Sequence, residues 1–131
     1  MDTDVERLNR ITEIIIGCAF KVHNVLGTGF SGRVYENALA HDLRKAGLHV
    51  ESQVAITVWY DGIVVGEHIA DLIIEHEILV ENKAVRAMDD GFTAQCINYL
   101  ACTTLPLCLL LNFGRKVEIK RFRGPGKKAA I

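Results

Sequence analysis

The chain has 131 residues, a mass of 14.5 kDa and a formal net charge of −1, with 50% hydrophobic and 24% charged residues. That length suits one hydrophobic core rather than two, and the composition excludes disordered, collagen-like and fibrous chains. No apolar run approaches the roughly 20 residues that span a bilayer, and the acidic start (Asp2, Asp4, Glu6, Glu13) is the reverse of a secretory leader, so a cytoplasmic protein without a membrane partner is expected.

Thr3-Asp4-Val5-Glu6 has the form of a capping box, and Val5, Leu8, Ile11, Ile15, Ala19, Val22 and Leu26 then recur at helical spacing as far as Gly27. A turn at residues 28–31 separates this helix from a second, marked by Val34, Tyr35, Ala38, Leu39, Leu43 and Ala46 and stopped at Gly47. From Val50 the period becomes two, with Val50, Ser52, Val54, Ile56, Val58 and Tyr60 on one face of a strand, and Asp61-Gly62 closes a hairpin. Two more strands, 63–74 and 78–84, flank the polar break Glu75-His76-Glu77. A helix over 92–103, an almost wholly apolar strand over 105–113 and an alternating strand over 116–122 complete the order ααβββαββ. This predicts an α/β fold, a mixed β-sheet flanked by helices, with a single domain over 1–123 and a loose basic tail over 124–131.

Charge is unevenly spread. Residues 115–131 hold seven basic side chains against Glu118, leaving eight basic and fifteen acidic residues in the other 114. A basic end on an acidic body suits contact with nucleic-acid phosphates, and Arg33, Arg86 and Arg121 are candidate contacts, individually unspecific. The four cysteines form no C-x-x-C pair and lie in apolar segments, so reduced, buried thiols and no iron–sulfur cluster are expected. The five histidines show no zinc-site spacing, and Trp59 reads as a packing residue.

Asp71 and Glu81-Asn82-Lys83 interrupt the stretches 69–74 and 78–84, otherwise built of Ile, Leu, Val and Ala. A carboxylate in such a place loses hydration unless a cation or a donor compensates. Parity decides whether the two acids can cooperate. Opposing Asp71 to Glu81 requires Ile74 to oppose Ile78 and leaves Glu75, His76 and Glu77 as a three-residue loop. A two-residue turn would instead pair Asp71 with Val80 and put the acids on opposite faces. The polar break favours the first register, in which the Cβ atoms stand about 5 Å apart and Lys83 projects from the same face. Two acids sharing a divalent cation beside an ammonium suit phosphodiester hydrolysis: hard oxygen ligands for Mg2+, a metal that activates water and a positive charge at the scissile phosphate. Gln95 and Tyr99, at i and i+4, share a face of the helix that follows.

Together, Asp71, Glu81-Asn82-Lys83 and Gln95-Cys96-Ile97-Asn98-Tyr99 resemble the PD-(D/E)xK nuclease superfamily, specifically the RecB-like branch whose next helix carries Gln-x-x-x-Tyr. Residues 29–39, 43–53, 94–100 and 109–114 are similar to the GxxExxY family within it. The resemblance implies a restriction-endonuclease-like fold and a Mg2+- or Mn2+-dependent nuclease that cleaves DNA through a metal-activated water, acting as a homodimer or beside a protein partner. It implies that Asp71, Glu81 and the backbone carbonyl of Asn82 hold the metal. Lys83 would position or polarise the water, and Gln95 and Tyr99 would brace the site and the substrate phosphate. One position departs from the family pattern. Its namesake glutamate, a metal ligand in related nucleases, would fall at Gly32, between the matching Gly29 and Tyr35, while Glu36 lies one turn later on roughly the same face. Gly32 also costs a helix interior about 1 kcal/mol relative to Ala. The alternative is therefore a catalytically impaired nuclease-fold module that binds nucleic acid or a protein, and a third reading, a small-ligand-binding α/β domain, predicts a closed apolar pocket.

Overall fold

A computed structural model describes residues 3–124. Helix α1 (Asp4–Leu26) begins where Thr3 accepts a hydrogen bond from the Glu6 N–H, and it ends at Gly27, whose φ of 74° only glycine adopts freely. Helix α2 (Gly32–Lys45) follows. Five strands come next: β1 (Val50–Tyr60), β2 (Ile63–Ile74), β3 (Ile78–Lys83) and, after α3 (Asp90–Ala101), β4 (Leu107–Phe113) and β5 (Val117–Arg123). They form one sheet in the order β1-β2-β3-β4-β5, antiparallel except for the parallel pair β3·β4 that α3 connects. The order ααβββαββ and the mixed sheet are as expected.

Boundaries moved for identifiable reasons. Asp89 caps α3, starting it two residues early, and Pro106, which lacks an N–H, delays β4 to Leu107. The Gly124 N–H, at the start of the expected tail, donates to the Pro106 carbonyl at 2.8 Å. The remainder of the expected tail lies outside the described residues. Gly32 is the first residue of α2, so the interior glycine penalty does not apply to it.

The sheet separates two cores. Ile11, Ile15, Ala19, Leu39 and Leu43 of α1 and α2 pack on Leu72, Ile74, Val80, Leu109 and Leu111, while Cys96 and Leu100 of α3 pack on Ile73, Leu79, Cys108 and Leu110. Of the cysteines, Cys96 and Cys108 are buried and Cys18 and Cys102 only half-buried, all as free thiols. The single-face reading of the first strand fails: Val50 joins the α1/α2 core, whereas Val54 and Ile56 join the α3 core. A similar reversal separates Leu72 from Ala70 in β2. Both coincide with Gln53 and Asp71, the position that the β1·β2 ladder skips between Ser52↔Leu72 and Val54↔Ala70. Gln53 there adopts φ 55°, a left-handed conformation unusual for its residue type.

Candidate active site

The site begins where two strands part. Ile74 pairs with Ile78, Ile73 with Leu79 and Leu72 with Val80, the register of the three-residue loop. The next pair in that register would be Asp71 and Glu81, and here backbone pairing ends. Side chains take over: the Asp71 N–H donates to Glu81 Oε1 at 3.2 Å and the Asn82 N–H to Asp71 Oδ2 at 2.8 Å. Beyond the fork β3 keeps its parallel pairing with β4.

A third acid enters from α2. Glu36 is buried, accepts a 2.8 Å hydrogen bond from Gln53 Nε2, and lies beside Asp71, whose charge it feels. Arg33 stands one turn before it, with Nε 3.9 Å from Glu36 Oε2. The left-handed turn at Gln53 thus has a visible consequence, since it accompanies an amide held against Glu36. Gly32, where the family glutamate is missing, sits against the fork, and a Cβ there would meet the Asn82 carbonyl oxygen at 3.7 Å. The Asn82 side-chain amide is buried without a hydrogen-bond partner among the described residues.

Lys83 is held by α3. Its ammonium donates to Gln95 Oε1 at 3.3 Å and lies 4.7 Å from the centre of the Phe92 ring. Gln95 in turn donates through Nε2 to the Tyr99 hydroxyl at 2.9 Å, so the relay Lys83–Gln95–Tyr99 fixes which end of the Gln95 amide faces the lysine. Tyr99 packs against His68, with ring centroids 5.2 Å apart.

Electrostatics mark two of the carboxylates, Glu81 and Glu36, as only partly compensated. Burial first, and then the Asp71 charge, push the Glu81 carboxyl up to about 8. Burial likewise raises Glu36, with Asp71 adding to the shift against the Gln53 hydrogen bond and the Arg33 charge. Lys83 offsets only part of the charge at Glu81. Three acids at the fork, only partly offset by Arg33 and Lys83, form a donor set of hard oxygens that fits a divalent ion of the Mg2+ or Mn2+ class.

Of the three arginines, Arg33 adjoins the carboxylates. Arg86 and Arg115 line a cavity of about 330 Å3 with Gly29, Phe30, Ala84 and Gly114. The same two arginines, with Lys116 and Glu118, line another of about 510 Å3. Arg121 is on the edge strand β5, bonded to Asn9 of α1 at 2.9 Å, and is not brought to the carboxylates. Trp59 borders a third cavity of about 420 Å3, lined also by Ile56, Ile73 and Leu105, remote from the acids.

Sequence reasoning missed Gln53, Phe92 and the role of Asn112. Asn112, fully buried, clamps Val85 by accepting from its N–H and donating to its carbonyl, both at 2.9 Å, which fixes the chain as it leaves β3. The signal was available, as one amide in an otherwise apolar strand. For Gln53 there was none, since its role depends on a backbone irregularity that alternation conceals.

A family model described as the PD-(D/E)XK nuclease superfamily matches residues 9–122. Among solved structures the chain is similar to an alkaline exonuclease (LHK-Exo) from Laribacter hongkongensis, at 15% identity and TM-score 0.53, covering 95% of this chain and 72% of that one. It is also similar to SSO0001, at 19% identity and TM-score 0.53, covering 72% of this chain and 50% of that one, so it spans half of SSO0001's length. At these identities the likeness is one of fold. No curated protein matches, and no described helix is long and apolar enough to cross a membrane.

Proposed function

Because the chain belongs to the PD-(D/E)XK nuclease superfamily, whose model spans residues 9–122, we propose that it is a metal-dependent nuclease hydrolysing DNA phosphodiester bonds, of the GxxExxY family within that superfamily. The observation that carries the proposal is the convergence of Glu36, Asp71 and Glu81 beside the Asn82 carbonyl, with Lys83 steered towards them from the other side. Each acid has one oxygen anchored by an N–H of the chain, from Gln53, Asn82 and Asp71 respectively. A bound Mg2+ or Mn2+ would lower the pKa of a coordinated water and neutralise the charge that develops on the phosphate.

The chain's own groups supply the rest. Lys83 gives one of its three protons to Gln95 and leaves two to orient the water or hold a phosphate oxygen. Tyr99 accepts from Gln95, so its own O–H remains a donor, and burial together with the Glu81 charge raises its pKa and keeps that proton in place. Arg33, Arg86 and Arg115 offer contacts to the phosphates of a strand entering the fork. The protein acts in the cytoplasm, alone, as a homodimer or beside a partner that adds DNA contacts.

Calorimetric titration with Mn2+ and a plasmid-nicking assay, run on the wild type, Glu81→Ala and Lys83→Ala, test this. The wild type binds Mn2+ and nicks. Glu81→Ala loses both properties, and Lys83→Ala retains the metal but loses cleavage by about 10³-fold. Metal and DNA binding without Lys83-dependent cleavage would assign the second reading, favoured by Gly32, of a nuclease fold that holds nucleic acid without cutting it.

A further inference from the structure

At the opposite end of the β2–β3 hairpin from Asp71 and Glu81, three side chains that no sequence spacing connects come together. His49 and Glu51 lie two residues apart where β1 begins and so share a side of the chain, while His76 is in the turn between β2 and β3. The turn is fastened to His49 from two directions: the Glu75 N–H donates to the His49 carbonyl at 2.9 Å, and the His49 N–H donates to Glu75 Oε2 at 2.7 Å. His76 adopts φ 59°, which brings its ring onto that of His49 with centroids 4.4 Å apart.

The distances decide what this cluster suits. His49 Nε2 and His76 Nδ1 stand 3.5 and 3.2 Å from the same oxygen, Glu51 Oε1. Charge-assisted hydrogen bonds are shorter, about 2.7–2.9 Å. Two ligands at about 2.0–2.1 Å from one tetrahedral ion are separated by about 3.3 Å, and the two contacts bracket that value. All three ligand atoms lie within 4.8 Å of one another, so small side-chain rotations close the third edge.

We propose that His49, Glu51 and His76 form a second metal site, for a borderline transition-metal dication of the Zn2+ class, that pins the start of β1 to the β2–β3 turn. Two imidazoles and one carboxylate select such an ion over Mg2+, which takes oxygen donors. The fourth position opens to solvent, since His76 and His49 are exposed and Glu51 half-buried. The site is independent of the carboxylate fork in both location and donor chemistry.

The test counts Zn2+ in a protein whose fork has been neutralised by Asp71→Asn and Glu81→Gln, so that no ion is attributed to it. Expected are one equivalent of Zn2+, a rise in melting temperature on adding it, and an X-ray absorption spectrum with imidazole scattering and a nitrogen/oxygen shell at about 2.0 Å. Adding His76→Asn, which tolerates the left-handed backbone, or Glu51→Gln, at a half-buried position, weakens Zn2+ binding by more than about tenfold, a loss that even outer-shell partners can cause. The metal-free melting temperature should hold in at least one of the two. Absence of Zn2+ binding, affinity indifferent to both substitutions, or a sulfur shell at about 2.3 Å pointing to the cysteines would overturn the proposal.

Discussion

The β2–β3 hairpin places two environments on one ribbon. From the turn to Leu72 and Val80 it is sealed: Leu72, Ile74, Ile78, Leu79 and Val80 are fully buried, facing the α1/α2 core or the α3 core alternately. One residue further on the pairing stops, and both N–H groups that cross the gap, those of Asp71 and Asn82, go to carboxylates instead of carbonyls. A buried amide must find an acceptor, so parting the strands creates the need that the acids meet. The same hydrogen bonds fix the acids' geometry. Apolar packing on one side of Leu72 thus provides the rigid base, and the polar fork on the other side crowds acids whose charge is relieved either by a proton on Glu81 or by a cation.

The two halves should break differently. Leu79→Ala removes a side chain without solvent exposure from the sealed half and lowers unfolding free energy by about 3 kcal/mol, seen in urea unfolding as a lower midpoint at unchanged slope. Metal affinity of the folded protein should change less than about twofold. A larger change would show that the fork does not stand apart from the packing beneath it.

The open half should show itself in pH. Glu81 titrates at about 8 when folded against an ordinary 4.5, so between those values the native state holds a proton that the unfolded chain has released. Its contribution to stability is complete below about 4.5 and is lost as pH climbs through 8, a slope of about −1 kcal/mol per pH unit in metal-free protein. Glu81→Gln, which stays neutral, should flatten that slope, as measured by urea unfolding in EDTA from pH 5 to 8. Mn2+ affinity should rise over the same interval, since the ion competes with the proton. A metal-free stability that increased with pH in the wild type, and not in Glu81→Gln, would mean that the carboxyl is compensated after all.

This division also separates what could be read in advance from what could not. The register was legible because period-two alternation and the polar Glu75-His76-Glu77 break allow only one pairing that brings Asp71 and Glu81 together, and Ile74 does oppose Ile78. The start of α1 was legible because Thr3 caps it within a capping box, whereas the Asp89 cap of α3 was missed. The Glu36–Gln53 contact was not, because a left-handed residue inside β1 reverses which face its neighbours take, and alternation presumes that this never happens. The His49–Glu51–His76 cluster was missed for a related reason: spacing rules find ligands within one helix or loop, whereas these meet across a turn. Charge counts carry no position, and Arg121 is bonded to Asn9 on α1, away from the carboxylates.

The smallest expected effect concerns the position that departs from the family pattern. Gly32 opens α2 directly beside the Asn82 carbonyl, its φ is outside the left-handed region, and a Cβ there finds ordinary contact at 3.7 Å. A glutamate should therefore be accommodated, and near a helix N-terminus its charge is favoured rather than opposed by the macrodipole. Glu36 already supplies an acid from the same helix, so Gly32→Glu adds a fourth carboxylate to a site where three acids face only Arg33 and Lys83. In metal-free protein that addition should raise the Glu81 pKa further. With Mn2+ present it should tighten binding about fivefold, equivalent to about 1 kcal/mol, with nicking rising in step. Unchanged affinity would show that Glu36 fully takes the missing residue's place, and weaker affinity would show that the fork tolerates no more negative charge than its three acids already bring.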